Sequence, residues 1–141
     1  MADGLKLRAE DEEDLAVVSA ILQDALVVVG DMVYLPEERQ FVLVANRFRG
    51  EVPDQQRERR LCGLRIDGVT AVQRRGFHLR EAERLLVLLA IQAKPGVLFF
   101  DFAGGSSVRL EVDRILCHLD DFGEPWPTKW RPRHPVGDEA E

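Results

Sequence analysis

At 141 residues, 45% of them hydrophobic and 7% aromatic, the chain has the length of one domain and the composition of a globular protein that buries its own core. The formal net charge of -6 argues against a general nucleic-acid binder, and no apolar run approaches the ~18 residues of a membrane span. Met1-Ala2-Asp3-Gly4 lacks the basic, then apolar profile of a signal peptide, so a cytoplasmic location is expected. Cys62 and Cys117 are then expected as buried thiols rather than as a disulfide.

In chain order, Leu5-Lys6-Leu7-Arg8 suggests a short opening strand. A helix follows, with Asp11 as N-cap, Asp14 three residues on, acids in the first turn, and Leu15, Val18, Leu22 and Ala25 along one face. Leu26 to Leu35 favours a strand, with Gly30-Asp31 marking a turn or bulge, and Pro36 to Arg39 is a turn. Phe41 to Ala45 is apolar on both parities, which predicts a central strand covered on both faces. Residues 51–59 form an exposed loop. Leu61 to Ile66 and Val69 to Gln73 flank Asp67-Gly68, a dipeptide that accepts the positive φ of a type I′ turn and predicts a hairpin.

Residues 80–93 are open to two readings. Propensity favours helix, whereas the Pro95-Gly96 break favours a turn and then a strand, the reading preferred here. Val97 to Phe102 is a strand bounded by Ala103-Gly104-Gly105-Ser106, and Ser107 to Val112 alternates as a strand with one wet face. Val112, Ile115, Leu116, Leu119 and Phe122 then fall at helical spacing, and Gly123 stands where a left-handed C-cap belongs, so a short C-terminal helix is predicted.

The sum is a single α+β domain over residues 1–123: a mainly antiparallel sheet, or a pleckstrin-homology-like barrel of about seven strands, with an N-terminal helix and a short C-terminal helix. A twisted sheet with helices on one face competes with it. The predicted core holds Val42, Val44, Leu64, Leu88, Phe100, Leu110 and Leu116. Residues 124–141 form a separate arm rich in Pro and Trp with an acidic tail. Its prolines disfavour helix and central strand, and Trp126 and Trp130 are expected to dock on the domain itself or on a second subunit, which would make a homo-dimer. Trp126, Trp130 and Arg131 are otherwise a contact surface for a protein partner.

Chemistry-bearing motifs are sparse. The phosphate loop, the dinucleotide fingerprint and Gly-x-Ser-x-Gly are absent, so no cofactor is expected. Cys117-His118 is the one adjacent Cys/His pair and lacks further ligands at metal-site spacing, so no metal is expected. His78 shares strand parity with Arg74 and, with that residue or Asp24, is the candidate for a small enzyme's site. Asp24 at the end of the first helix otherwise braces the next turn. Asn46 and Arg47 end an apolar strand and are candidate binding residues. From Arg47 to Arg84 there are ten Arg against six acids, which opens a weak RNA-binding reading for that region.

Leu15 to Ala25, Asn46-Arg47-Phe48, Phe102-Ala103-Gly104-Gly105 with Val108 to Val112, Pro125-Trp126 and His134 together resemble a bacterial family of small proteins, a domain of unknown function. The resemblance spans nearly the whole chain and implies no activity. The chain departs from the family pattern at Gly50, where the pattern has a Trp ahead of the residue matching Glu51, which puts an aromatic contact from that loop in doubt. The functional expectation is a non-enzymatic binding or assembly module acting through protein contacts.

Overall fold

The structure, a computed structural model, describes residues 4–48 and 58–127, excepting the side chains of residue 58 and of residues 123–127. Nine strands and one α-helix follow one another as β1 (Lys6–Ala9), α1 (Glu12–Ile21), β2 (Leu26–Leu35), β3 (Gln40–Phe48), β4 (Glu58–Asp67), β5 (Val69–Arg75), β6 (Leu85–Lys94), β7 (Val97–Phe102), β8 (Ser107–Val112) and β9 (Cys117–Pro127). They form one antiparallel sheet in the order β1-β9-β4-β3-β2-β6-β7-β8-β5. The two end strands do not pair, so the sheet is open. This corrects the expectation of a seven-stranded pleckstrin-homology-like barrel closed by a C-terminal helix. The alternative of several helices on one face fails too, since α1 is the one α-helix among the described residues.

The sheet curls around a single core. Phe41 on β3 and Phe100 on β7 lie three strands apart in the sheet, yet their rings meet at 5.9 Å. Alternation decides what fills that core: Phe41, Leu43 and Ala45 from β3, Cys62, Leu64 and Ile66 from β4, Leu98, Phe100 and Phe102 from β7, and Val108, Leu110 and Val112 from β8 are all buried. Of the predicted core, Leu64, Leu88, Phe100, Leu110 and Leu116 are buried, whereas Val42 and Val44 are half-buried on the outer face. β3 is thus central in the sheet but packed on one face only. Both parities of β3 are apolar, and the larger Phe41 and Leu43 take the inner one.

Helix α1 closes the curl by packing its buried Leu15 and Val18 into this core. Asp11 caps it as expected, its Oδ1 accepting from the Asp14 backbone N–H at 2.8 Å, and Asp14 Oδ2 accepts from the Glu10 N–H at 3.0 Å. The tie to the sheet is polar as well: the Ile91 N–H donates to Ser19 Oγ at 2.9 Å, and Leu88 exchanges backbone bonds with Asp24 and Ala25. Gly30 marks the bulge in β2, where the register shifts between Val27 and Met32. A Cβ at Gly30 would stand 2.9 Å from the carbonyl oxygen of Ala82, so the bulge needs a residue without one.

Two connections differ from the sequence expectation. Asp67-Gly68 does place a glycine at φ +75°, but β4 and β5 do not pair. The chain turns a corner there: β4 lies between β3 and β9, while β5 pairs with β8 at the far end of the sheet. Backbone bonds from Asp67 to Leu116, from Val69 to Arg39 and from Asp113 to Gly68 hold the corner. The predicted C-terminal helix is strand β9, in which Cys117 and Leu119 point inward and His118 and Asp120 outward. Leu116 belongs to the connection before it, so the helical spacing of residues 112–122 is a coincidence of three different segments. Residues 85–94 form β6, after turns at 79–80 and 82–83.

Strand β9 carries on through Pro125 to Pro127. Its other neighbour β1 pairs only as far as Asp120, so these prolines lie where one side of β9 has no ladder to interrupt. Residues 128–141, with Trp130 and Arg131, lie outside the described residues.

Candidate functional site

Two clusters of charge stand out, one inside the sheet and one on it. The first arises where β3, β4 and β9 run side by side. Arg47, Arg60, Cys62 and Asp121 all sit at inward positions there, continuing the parity of the core. Arg47 is 2% exposed, and the side chain of Asp121 is fully buried. Arg47 Nε and Nη2 donate to Asp121 Oδ1 and Oδ2 at 3.0 and 2.7 Å, a bidentate pair reaching over β4, and Nη1 donates to the carbonyl of Phe48 at 2.9 Å. Asp121 Oδ2 also accepts the Leu5 N–H at 2.8 Å, which ties in the chain ahead of β1.

Burial pushes the Asp121 carboxyl up, but the hydrogen bonds from Arg47 and Leu5 and the charges of Arg47 and Arg60 outweigh it and hold it below the usual carboxylate range. On the outer side of the same strand ends, Arg59 is 8% exposed, lies 3.7 Å over the Phe48 ring, and donates through Nη1 to both the carbonyl and Oδ1 of Asn46 at 2.7 and 3.2 Å. Burial first, then the Asp121 charge, push the Cys62 thiol up to about 12, so it is a packing group rather than a nucleophile. Burial raises Cys117 to about 12 as well, and both cysteines are unpaired thiols. The arrangement suits bracing: the bonds of Arg47 and Asp121 tie β3, β9 and the chain ahead of β1 together.

The second cluster is a groove of about 1080 Å³ on the wet side of β5, β8 and β7, lined by Gln73, Arg74, Arg75, Phe99, Asp101, Ser107 and Arg109 and by the segment that follows β5. The register aligns Gln73, Arg109 and Phe99 as one row across the three strands, with Arg75, Ser107 and Asp101 as the next. Arg109 Nη1 donates to Gln73 Oε1 and Glu111 Oε2, each at 3.0 Å, with its guanidinium 5.9 Å from the Phe99 ring centre. Gly76, at φ +89°, ends β5, and its carbonyl accepts from Arg84 Nη1 at 3.0 Å and from Ser106 Oγ at 3.2 Å. Glu81 takes the His78 backbone N–H at 2.8 Å and Arg84 Nη1 at 3.2 Å, contacts that lower its carboxyl below the usual range, the His78 bond most of all.

Sequence reasoning put His78 and Arg74 on one strand face. The structure brings both to the groove, but His78 lies beyond the end of β5, in the loop turned by Gly76. The loop's carboxylate, Glu81, bonds the backbone of His78 rather than its ring. Asp24 does not line this groove; it is exposed at φ +67°, and its N–H donates to the Leu88 carbonyl, bracing the turn after α1. Asn46 and Arg47 belong to the other cluster. Trp126 has its backbone in β9 opposite Arg59. Arg59, Arg60 and Asp121 were missed. The available signal was a cation in phase with an apolar alternation, Arg60 ahead of Cys62, Leu64 and Ile66. Among the described residues, no group of three or more His, Cys, Asp or Glu is placed to hold a metal ion.

Fold and site together define a small β-rich protein: one open sheet curled on its core, braced at one end by buried arginines and presenting a basic groove on its wet side. The model of the family described as "Protein of unknown function (DUF2948)" matches residues 5–134, and the chain belongs to that family. No curated protein and no solved structure matches it. No helix among the described residues is long and apolar enough to cross a membrane.

Proposed function

We propose that this protein is a non-enzymatic binding module of the bacterial cytoplasm that acts by contact with another protein through the groove on β5, β8 and β7. The observation that carries this reading is the groove's form: broad, open, and lined by cations on rigid strands, with Arg74 and Arg75 exposed at its rim. An enzyme site would need titratable groups converging around one reacting atom. Here Arg84 bonds Glu81 and the Gly76 carbonyl, and Arg109 bonds Gln73 and Glu111, which shapes a surface. The two buried, unpaired thiols support a reducing compartment.

Affinity capture from the native cell with the full chain, beside its Arg74→Glu/Arg75→Glu variant, tests the reading. The wild type should hold a reproducible protein partner that the variant loses. Recovery of no specific protein by the wild type would remove the reading, and recovery of a nuclease-sensitive complex would favour the RNA alternative.

A further inference from the structure

The exposed edge of the groove is a strand, and its backbone is only half used. The Val112 N–H donates to the Gly96 carbonyl and the Phe102 N–H to the Ser106 carbonyl. These bonds fix the phase of the β7–β8 ladder, so that Ser106, Val108, Leu110 and Val112 turn their backbone groups toward β7. Ser107, Arg109 and Glu111 therefore turn theirs toward β5, where they face Arg75, Gln73 and Ala71. By the same alternation, Val72 and Arg74 direct their N–H and C=O groups away from β8, to the outside of the sheet. β5 ends the sheet order, and no further strand pairs with it among the described residues.

Chemistry beside that edge is specific. Val72 is half-buried against the core, so an apolar side chain added beyond it would extend the core rather than meet water. Arg74 and Arg75 are exposed and have no ion-pair partner among the described residues. Cations on an edge strand commonly serve to repel stray strands. Here they stand at one end of the edge, beside the groove, and the same charge that rejects a neutral or basic strand selects an acidic one.

We propose that β5 accepts an extended acidic segment of a partner protein as a tenth strand, with an apolar residue of that segment beside Val72 and its carboxylates at Arg74 and Arg75. This rests on the binding-module reading above and adds the site and the chemical class of partner. Backbone bonds at Val72 and Arg74 supply affinity that is indifferent to sequence, and the arginines supply the choice.

The test uses the full chain and a short labelled peptide in which two adjacent aspartates precede a valine with one residue between (Asp-Asp-x-Val), since Val72 and Arg74 share one face of β5 and Arg75 takes the other. The same peptide with lysines for the aspartates and an all-aspartate peptide stand beside it, and binding is followed by fluorescence anisotropy. The Asp-Asp-x-Val peptide should bind, the lysine peptide should not, and the all-aspartate peptide should bind more weakly. Arg74→Glu should weaken binding by about tenfold or more, and Arg74→Pro, which also removes an edge N–H, should abolish it. Both changes are at an exposed position, so melting should shift little, and a circular-dichroism melt separates lost binding from lost fold.

Equal binding of all three peptides, or unchanged affinity in a folded Arg74→Pro, overturns the proposal. So does an RNA oligonucleotide that binds in preference to the acidic peptide. If capture still recovers one partner with both wild type and Arg74→Pro, the edge proposal fails while the module reading stands. If capture recovers nothing, the module reading fails.

Discussion

Asp121 is buried opposite Arg47, and every nitrogen of the guanidinium is engaged: two bonds run to the carboxylate and one to the Phe48 carbonyl, while the carboxylate also takes a backbone N–H. Removing one member strands the other inside the sheet, which typically costs about 3–5 kcal/mol. Asp121→Asn should therefore lower the melting temperature well beyond a surface substitution, while Arg47→Met with Asp121→Leu should cost less than the single change. The pH dependence has a definite sign. Asp121 is depressed in the folded state, so its contribution is present above the unfolded carboxylate pKa of about 3.9 and is lost as pH falls through the lower folded value. Wild type and Asp121→Asn should thus converge in stability at strongly acid pH. Chemical denaturation across that range checks both statements, and a constant gap between the two proteins at all pH values would contradict them.

At the scale of elements, the strands were legible where a single residue type settled each position. β8 alternates cleanly, Gly104 and Gly105 turn between β7 and β8 at positive φ, and α1 begins at its capping Asp11. β9 was not legible, because its inward series runs Cys117, Leu119, Asp121 and so breaks the apolar alternation with a carboxylate. What makes that carboxylate tolerable is Arg47, 74 residues earlier, which no local pattern reveals. Asp67-Gly68 shows the same limit: its local conformation was legible, but the partners of β4 and β5 are chosen by the whole sheet. The parity of β3 had two apolar solutions, and the structure makes a testable choice between them. Leu43→Ala, in the core, should cost about 2–5 kcal/mol, whereas Val42→Ala, on the half-covered outer face, should cost clearly less. A larger loss for Val42→Ala than for Leu43→Ala in urea denaturation would give β3 the opposite parity, and equal losses would contradict a one-sided packing of the strand.

Taken as a whole, the molecule divides its polar investment. Buried arginines brace the end where β3, β4 and β9 meet, and exposed ones mark the free edge where β5 ends the sheet. The groove was partly legible, through His78 and Arg74, although the parity argument that paired them stops at Gly76. The edge was not, because a strand's neighbours are decided by topology. Residue-resolved amide hydrogen exchange on the full chain, alone and with the partner recovered by capture, tests the account most directly. Alone, the amides of Val72 and Arg74 should exchange fast and those of Gln73 and Arg75 slowly, and the partner should protect the first pair. Uniformly slow exchange along β5 in the free protein, or partner-induced protection confined to other strands, would contradict it.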